Sequence, residues 1–160
     1  MTEQNQTSID LTPELEAAAT NAGDILLDQK RVVKIDYRGD PNNCLTQRMK
    51  ESRQLNKASL ATLLVEGGNV YALWSKDQGT GYWQLRYIGQ RKSKGIRERL
   101  CQHLFSKDRR TGAQLENVQM CLENNQDVGV SVIQVTPDEV RSAIEELLIK
   151  SNKPDWNVHK

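Results

Sequence analysis

Two apolar, strand-like runs joined by a short polar loop constrain the fold of this chain more than any other feature. The runs NVYALW (69–74) and YWQLRYIG (82–89) are rich in β-branched and aromatic residues, and SKDQGTG (75–81) connects them. This pattern predicts a β-hairpin, because such side chains suit a pleated sheet and glycine suits a turn. The second run ends at Gly89 and leads at once into the basic segment QRKSKGIRER. We therefore expect a hairpin followed directly by a basic loop and helix.

The elements after the hairpin indicate a small mixed fold. Apolar spacing and composition predict helices at 96–106 and 114–125, a strand at 128–135 and a final helix after Thr136. The order is then hairpin, helix, helix, strand, helix. An α/β (α+β) fold satisfies this order, with a small three-stranded, mainly antiparallel sheet flanked by helices.

The final helix has the most complete start signal in the sequence. Thr136 and Glu139 have the spacing of a capping box, and Pro137 suits the first helical position. The apolar residues that follow form one helical stripe, and Glu145 falls at its edge beside Leu148. A carboxylate at that place can lie at the rim of a site.

The part before the hairpin predicts a tail and an extension. Residues 1–11 are polar and aperiodic, so we expect them to be disordered. We assign residues 12–66 to an N-terminal extension and 67–160 to the core. The extension's expected elements are an acidic helix opened by Thr12 and Pro13 and running to about residue 28, a strand RVVKIDYR (31–38), and a helix-compatible stretch (44–65).

The net charge of +1 conceals a strongly basic middle. Residues 30–112 carry 18 Lys and Arg against 7 Asp and Glu, whereas residues 1–29 carry six acids and no base. A basic segment of this kind suits a polyanion, because Lys and Arg neutralise phosphates and release counterions. A solvated surface with its charges paired elsewhere is the alternative. No apolar run approaches the ~20 residues of a membrane span, so we expect a cytoplasmic protein without a membrane partner.

Several short motifs stand in a recurring order. VYAL lies in the first hairpin strand, YIG ends the second, arginines follow in a helix, and a late helix with glutamate precedes KPDWN. In this order, residues 69–157 resemble the GIY-YIG nuclease family, with Asn69 where that family has its first glycine. The resemblance implies a divalent-metal-dependent DNA endonuclease, restriction-like or similar to phage endonuclease II. It implies one Mg²⁺ or Mn²⁺ per site, double-stranded DNA as partner, and a homo-oligomer as one way to cut both strands.

The resemblance also assigns roles to individual residues. Both Arg97 and Arg99 lie in the helix after YIG, and we choose Arg99 because His103 follows it by one helical turn. Glu145 is preferred to Glu146 because the spacing to the later Leu-Ile pair, proline and asparagine matches the family. The implied site is Tyr71 near the attacking water, Tyr87 in support, Arg99 on the phosphate, His103 as an auxiliary ligand, Glu145 on the metal, and Asn157 as an anchor or phosphate contact.

Residues around this site are expected to contact DNA. Gly89 lacks a side chain, so we interpret it as a point where a phosphate backbone can approach closely. The other expected contacts to phosphates are Arg91, Lys92, Lys94, Arg97, Arg109 and Arg110, with Arg38, Arg48, Lys50 and Arg53 of the extension in addition.

Two interpretations without catalysis stay open. A non-catalytic nucleic-acid-binding module would need the same basic face but neither Glu145 nor metal. A protein-interaction domain could instead cover its own basic face with the acidic N-terminal helix. The extension (12–66) could serve either DNA contact or dimerisation.

Overall fold

The fold is built on a four-stranded antiparallel sheet in the computed structural model, which describes residues 7–38, 44–106 and 112–158. The strand order is β1-β4-β2-β3, and each neighbouring pair is antiparallel. The mixed α/β class and the antiparallel pairing are confirmed, but the expected number of three strands was wrong. The strands are β1 (Val33–Lys34), β2 (Val70–Asp77), β3 (Gln84–Gln90) and β4 (Gln126–Ile133).

Helices cover both faces of this sheet. From β2 onward the elements follow the expected order of hairpin, helix, helix, strand, helix. Within the described residues the α-helices are α1 (Thr12–Leu26), α2 (Leu45–Leu55), α3 (Lys57–Leu63), α4 (Ile96–Leu104), α5 (Leu115–Glu123) and α6 (Arg141–Asn152).

The fourth strand comes from the N-terminal extension. Val33 pairs with Val130 and adds β1 to the outer edge of β4. The expected strand over 31–38 is shorter than the alternating pattern suggested. Its pairing with β4 ends at the bond from the Ile35 N–H to the Val128 carbonyl. After Ile35, the backbone N–H and carbonyl of Asp36 bond to a side chain and not to β4.

That partner is Asn56, a buried residue between α2 and α3. Its Oδ1 accepts from the Asp36 N–H at 2.9 Å, and its Nδ2 donates to the Asp36 carbonyl at 2.7 Å. The same Nδ2 donates to the Ser52 carbonyl at 2.7 Å. The Asn56 amide thus pairs with an extended backbone as a neighbouring strand would. The helix-compatible stretch 44–65 forms two helices, α2 and α3, which meet at this residue.

The alternation of β2 divides the core into two layers. Tyr71 and Leu73 face α4 and α5, whereas Ala72 and Trp74 face α1 and α6. The acidic helix α1 therefore packs on the face opposite α4. The interpretation that α1 covers the basic face was wrong. Residues of both the extension (12–66) and the core (67–160) line each layer: Ile35 and Leu60 in the first, Ala19 and Leu26 in the second.

The start of the last helix differs from its sequence signal. No side chain caps α6, which begins at Arg141 after a short 3-10 turn, so the capping box of Thr136 and Glu139 was wrong. Asp138 is held elsewhere, because its Oδ1 accepts from Asn69 Nδ2 at 3.0 Å and its Oδ2 from Arg141 Nη1 at 2.6 Å. The bond from Asn69, the residue before β2, to Asp138 therefore helps to set where α6 begins.

We expect Asn56→Ala to lower the free energy of unfolding by about 1–3 kcal/mol, because it leaves the partly buried N–H and carbonyl of Asp36 without their side-chain partner. Urea denaturation followed by circular dichroism measures this loss. Gln54→Ala, at an exposed position of α2, is the matched control and should change it by less than about 0.5 kcal/mol. Equal losses in the two variants would contradict the proposed pairing.

Candidate active site

The expected site begins where β2 and β3 pair at Tyr71 and Gly89. The Tyr71 ring lies over Gly89, and a Cβ atom placed on Gly89 would sit 2.4 Å from Tyr71 Cζ. Any side chain at position 89 would therefore displace the ring. Gly89 is itself buried, so its missing side chain serves the packing of Tyr71. A contact between Gly89 and a phosphate backbone stays a prediction.

Tyr71 bonds directly to His103 of α4. The Tyr71 Oη and His103 Nε2 atoms are 2.6 Å apart, and both side chains are buried. On the other side of the imidazole, Nδ1 accepts a bond from the Gln114 backbone N–H at 2.9 Å. A backbone N–H only donates, so Nδ1 carries no proton and the neutral ring must carry its proton on Nε2. His103 is therefore the donor and the Tyr71 oxygen the acceptor.

The electrostatics of His103 agree with this tautomer. Burial lowers the pKa of His103 to about 3, and the nearby cations Arg99 and Arg91 act in the same direction. The ring is consequently neutral at physiological pH. The Tyr71–His103 pair therefore lies in an environment of positive potential to which Arg99 and Arg91 contribute.

Tyr71 stays protonated in these surroundings. Burial raises its pKa, Tyr87 raises it further, and the Arg99 guanidinium opposes both. Because the Tyr71 oxygen accepts from His103, its own hydrogen points away from the imidazole. The three rings cluster with centroids 5.1–6.1 Å apart. The cluster thus extends from the buried His103 and Tyr71 to Tyr87, which is half-buried.

The two candidate arginines of α4 lie on different sides of that helix. Arg99 is half-buried and close enough to Tyr71 and His103 to shift the pKa of each. Arg97 is exposed and faces Arg53 and Lys57 of the extension. The structure thus brings Arg99, and not Arg97, to the tyrosine pair.

Glu145 lies on the other face of the sheet. It is half-buried on α6, whose residues Ile144 and Leu148 pack in the layer opposite Tyr71. Burial raises the pKa of Glu145 to about 7, and the neighbouring Glu146 adds to the rise. Arg141, one turn earlier, donates from Nε to Gln90 Oε1 at 2.8 Å. This bond ties the start of α6, and with it the helix that carries Glu145, to the end of β3.

Asn157 anchors that edge strand. Its Oδ1 accepts from the Ile88 N–H at 3.0 Å and its Nδ2 donates to the Ile88 carbonyl at 2.9 Å. The preceding Trp156 N–H donates to the Arg86 carbonyl at 2.9 Å. These bonds pair backbone N–H and carbonyl groups on the outer edge of β3, next to Tyr87 and Gly89. Of the two expected roles of Asn157, the anchor is the one that the geometry supports.

A metal site here would have to rest on few protein ligands. Among the described residues, no group of three or more His, Cys, Asp or Glu side chains is arranged to hold a metal ion. Mg²⁺ often takes one or two carboxylates together with waters and phosphate oxygens. Glu145 fits that kind of site, because a bound cation would offset the burial and the Glu146 charge that raise its pKa.

The remaining expected DNA contacts follow β3. Arg91, Lys92 and Lys94 are exposed after the strand, and the Arg91 N–H is fixed to the Asn69 carbonyl at 2.9 Å. Arg109 and Arg110 lie outside the described residues. Arg91, Lys92 and Lys94 thus follow the end of β3, and Arg91 contributes to the lowered pKa of His103.

Sequence reasoning missed the residues that hold the site together. Asn69 is fully buried, and its side chain bonds to the Val135 backbone and to Asp138. Asn69 stands where the GIY-YIG family has its first glycine, and this difference could have indicated a structural role for its side chain. Gln114 contributes its backbone N–H to the imidazole, so no side-chain pattern could have indicated that contact. Arg141 was missed because the spacing of Thr136 and Glu139 predicted a capping box at this helix start.

Comparison of the chain with models of protein families, with curated proteins and with solved structures found no match. No helix in the described part of the chain is both long and apolar enough to cross a membrane. A function for this chain is therefore inferred from the arrangement of its own side chains.

We expect the His103 ring to stay neutral, with its proton on Nε2, from about pH 5 to about pH 8. Two-dimensional ¹⁵N NMR of the imidazole nitrogens distinguishes the tautomers directly. The second histidine of the sequence is His159, and a His159→Gln variant assigns the two sets of ring signals. Titration of His103 near its usual value, or a proton on Nδ1, would contradict the bond from Gln114.

Proposed function

We propose that this chain is a divalent-metal-dependent DNA endonuclease of the GIY-YIG type, restriction-like or phage-type, acting in the cytoplasm on phosphodiester bonds. The observation that carries the proposal is the Tyr71–His103 pair, fixed in one tautomer, with Arg99 beside it. The pair lies at the end of a hairpin from which a basic segment departs. This arrangement suits an anion whose negative charge increases during reaction, as that of a phosphodiester does.

Arg99 is the phosphate-binding group in this proposal. During in-line attack, negative charge increases on the non-bridging oxygens of the phosphate. A positioned guanidinium offsets that charge, and its half-buried position strengthens the interaction relative to water. Arg91 adds a second cation on the same side.

The tyrosines act as hydrogen-bond donors and not as a base. Tyr71 cannot supply a phenolate at neutral pH, because burial raises its pKa. Its oxygen accepts from His103, and beside it the half-buried Tyr87 carries the second hydroxyl of the site. That hydroxyl can donate to the attacking water or to a phosphate oxygen. His103 and Tyr71 are positioning residues for it.

Glu145 is the metal ligand in the proposal, and Asn157 keeps β3 in place next to it. A bound Mg²⁺ or Mn²⁺ supplies acidity to a coordinated water and positive charge near the phosphate. Cutting both strands of a duplex would require a homo-oligomer or two successive nicks.

A non-catalytic nucleic-acid-binding module is the second candidate. Two observations favour it: Tyr71 is 1% exposed, and α6, which carries Glu145, packs on the sheet face opposite Tyr71. Such a module would use the same cations without turnover. The two candidates differ in their need for Glu145 and metal.

We expect the protein to nick or linearise supercoiled plasmid with Mg²⁺, and Glu145→Gln to bind the plasmid without cutting it. Glu146→Gln, at the exposed neighbouring carboxylate, is the matched control and should keep cutting. Arg99→Gln should cut about 100- to 1000-fold more slowly. Binding by all variants without cutting by any, in Mg²⁺ or Mn²⁺, would establish the binding module instead.

We expect Mg²⁺ to raise the melting temperature at about pH 8 and to have little effect at about pH 6, because the cation needs a deprotonated Glu145. The pKa of Glu145 is raised to about 7, so without metal its favourable contribution to stability is lost as pH rises through that value. Glu145→Gln should remove the Mg²⁺ effect and Glu146→Gln should keep it. A Mg²⁺ effect that persists in Glu145→Gln would contradict the assignment of the ligand.

A further inference from the structure

A second concentration of positive charge lies beside α4, between that helix and the extension. Its walls carry four cations, Lys50, Arg53, Lys57 and Arg97, around a volume of about 380 Å³. All four side chains are on exposed residues. We call this set of four the basic groove.

Apolar packing holds the basic groove in shape. Leu60 of α3 and Cys101 of α4 lie at its base, and both belong to the core layer that contains Tyr71. The break at Asn56 sets the direction of α3 relative to α2, because its amide is tied to Ser52 and to Asp36. The groove is therefore a feature of the folded extension and not of freely moving side chains.

The charge of the basic groove is poorly balanced. Across α2 and α3 there are four basic residues and one acid, Glu51. From α4, Glu98 pairs with Arg53 at 3.6 Å, and both side chains are about half exposed or more. An exposed pair of this kind is worth at most about 1 kcal/mol, so a phosphate can compete for Arg53.

The position of Arg97 connects the basic groove with the candidate site. Arg97 and Arg99 are two residues apart on α4, roughly 200° around the helix, with exposed Glu98 between them. They flank the exposed side of α4, at a separation of about one helix diameter, ~10 Å.

We propose that the basic groove binds backbone phosphates of duplex DNA that flank the phosphate held at Arg99. The inference rests on the proposed function, because it takes the substrate of that site to be the DNA in the groove. It assigns to the extension a role in holding the duplex across α4. Phosphate contacts of this kind contribute affinity and register without reading sequence.

The structure also separates this groove from the other cations of the extension. Arg38 and Arg48 line a different cavity, together with Tyr37 and Glu123. Sequence reasoning grouped them with Lys50 and Arg53 as DNA contacts. Among the cations of the extension, the inference places only those of the basic groove on the duplex. Arg38 and Arg48 therefore provide a control with equal loss of charge.

The test measures binding of a duplex of about 20 base pairs by fluorescence anisotropy over a range of salt concentrations, without metal. Lys50→Gln combined with Lys57→Gln should lower the slope of log affinity against log salt by about 1.8, since each phosphate contact contributes about 0.9. Arg38→Gln combined with Arg48→Gln should leave the slope unchanged. Glu98→Gln should tighten binding, because it removes a repulsive charge and releases Arg53.

Plasmid cleavage by the same proteins separates this inference from the proposed function. If the unmodified protein cuts DNA but the slope is the same in both double variants, the groove proposal is overturned and the nuclease proposal stands. If the slope falls only in the Lys50 and Lys57 variant while no protein cuts, the groove is supported and the nuclease proposal fails. Absence of duplex binding, or tighter binding of duplex RNA than of duplex DNA, overturns the groove proposal.

Discussion

The burial of β2 on both faces is the constraint on which the rest of the structure depends. A central strand with apolar side chains on both sides needs a helical layer on each, and the chain supplies α4 and α5 on one and α1 and α6 on the other. The alternation places Tyr71 inside the first layer, where its ring fits only because Gly89 has no side chain. The position of the candidate site is thus a result of core packing.

Within that layer, one backbone group fixes the direction of the hydrogen bond between His103 and Tyr71. The Gln114 N–H occupies Nδ1 of His103, so the proton of the imidazole is on Nε2 and the bond to Tyr71 has a single direction. Burial and the surrounding cations keep the ring neutral by lowering its pKa. Tyr71 and His103 are consequently enclosed in the core, and the half-buried side chains beside them are Tyr87 and Arg99.

Local patterns in the sequence predicted the elements whose stability is local or apolar. The hairpin, the helix from Ile96 and the order of elements after Val70 were correct, since side-chain periodicity records burial directly. Errors occurred wherever a side-chain amide or carboxylate bonds to a distant group. Asn56 pairs with the backbone after β1 and so shortens that strand, and Asp138 bonds to Asn69 where a capping box of Thr136 and Glu139 was expected. The spacing of Arg99 and His103 placed both on one helical turn, but the role of Gln114 depends on tertiary contact alone.

The segment after α6 has a consequence for self-association. β3 is the long edge strand of the sheet, and an edge strand with open N–H and carbonyl groups is a template on which another chain can pair. Trp156 and Asn157 occupy bonding groups of Arg86 and Ile88 along that edge. The opposite edge, β1, is only two residues long and offers little to a second strand. Residues 154–157 therefore cover this edge and oppose edge-to-edge aggregation. A truncation that removes them, or an insertion within them, would expose the backbone groups of β3.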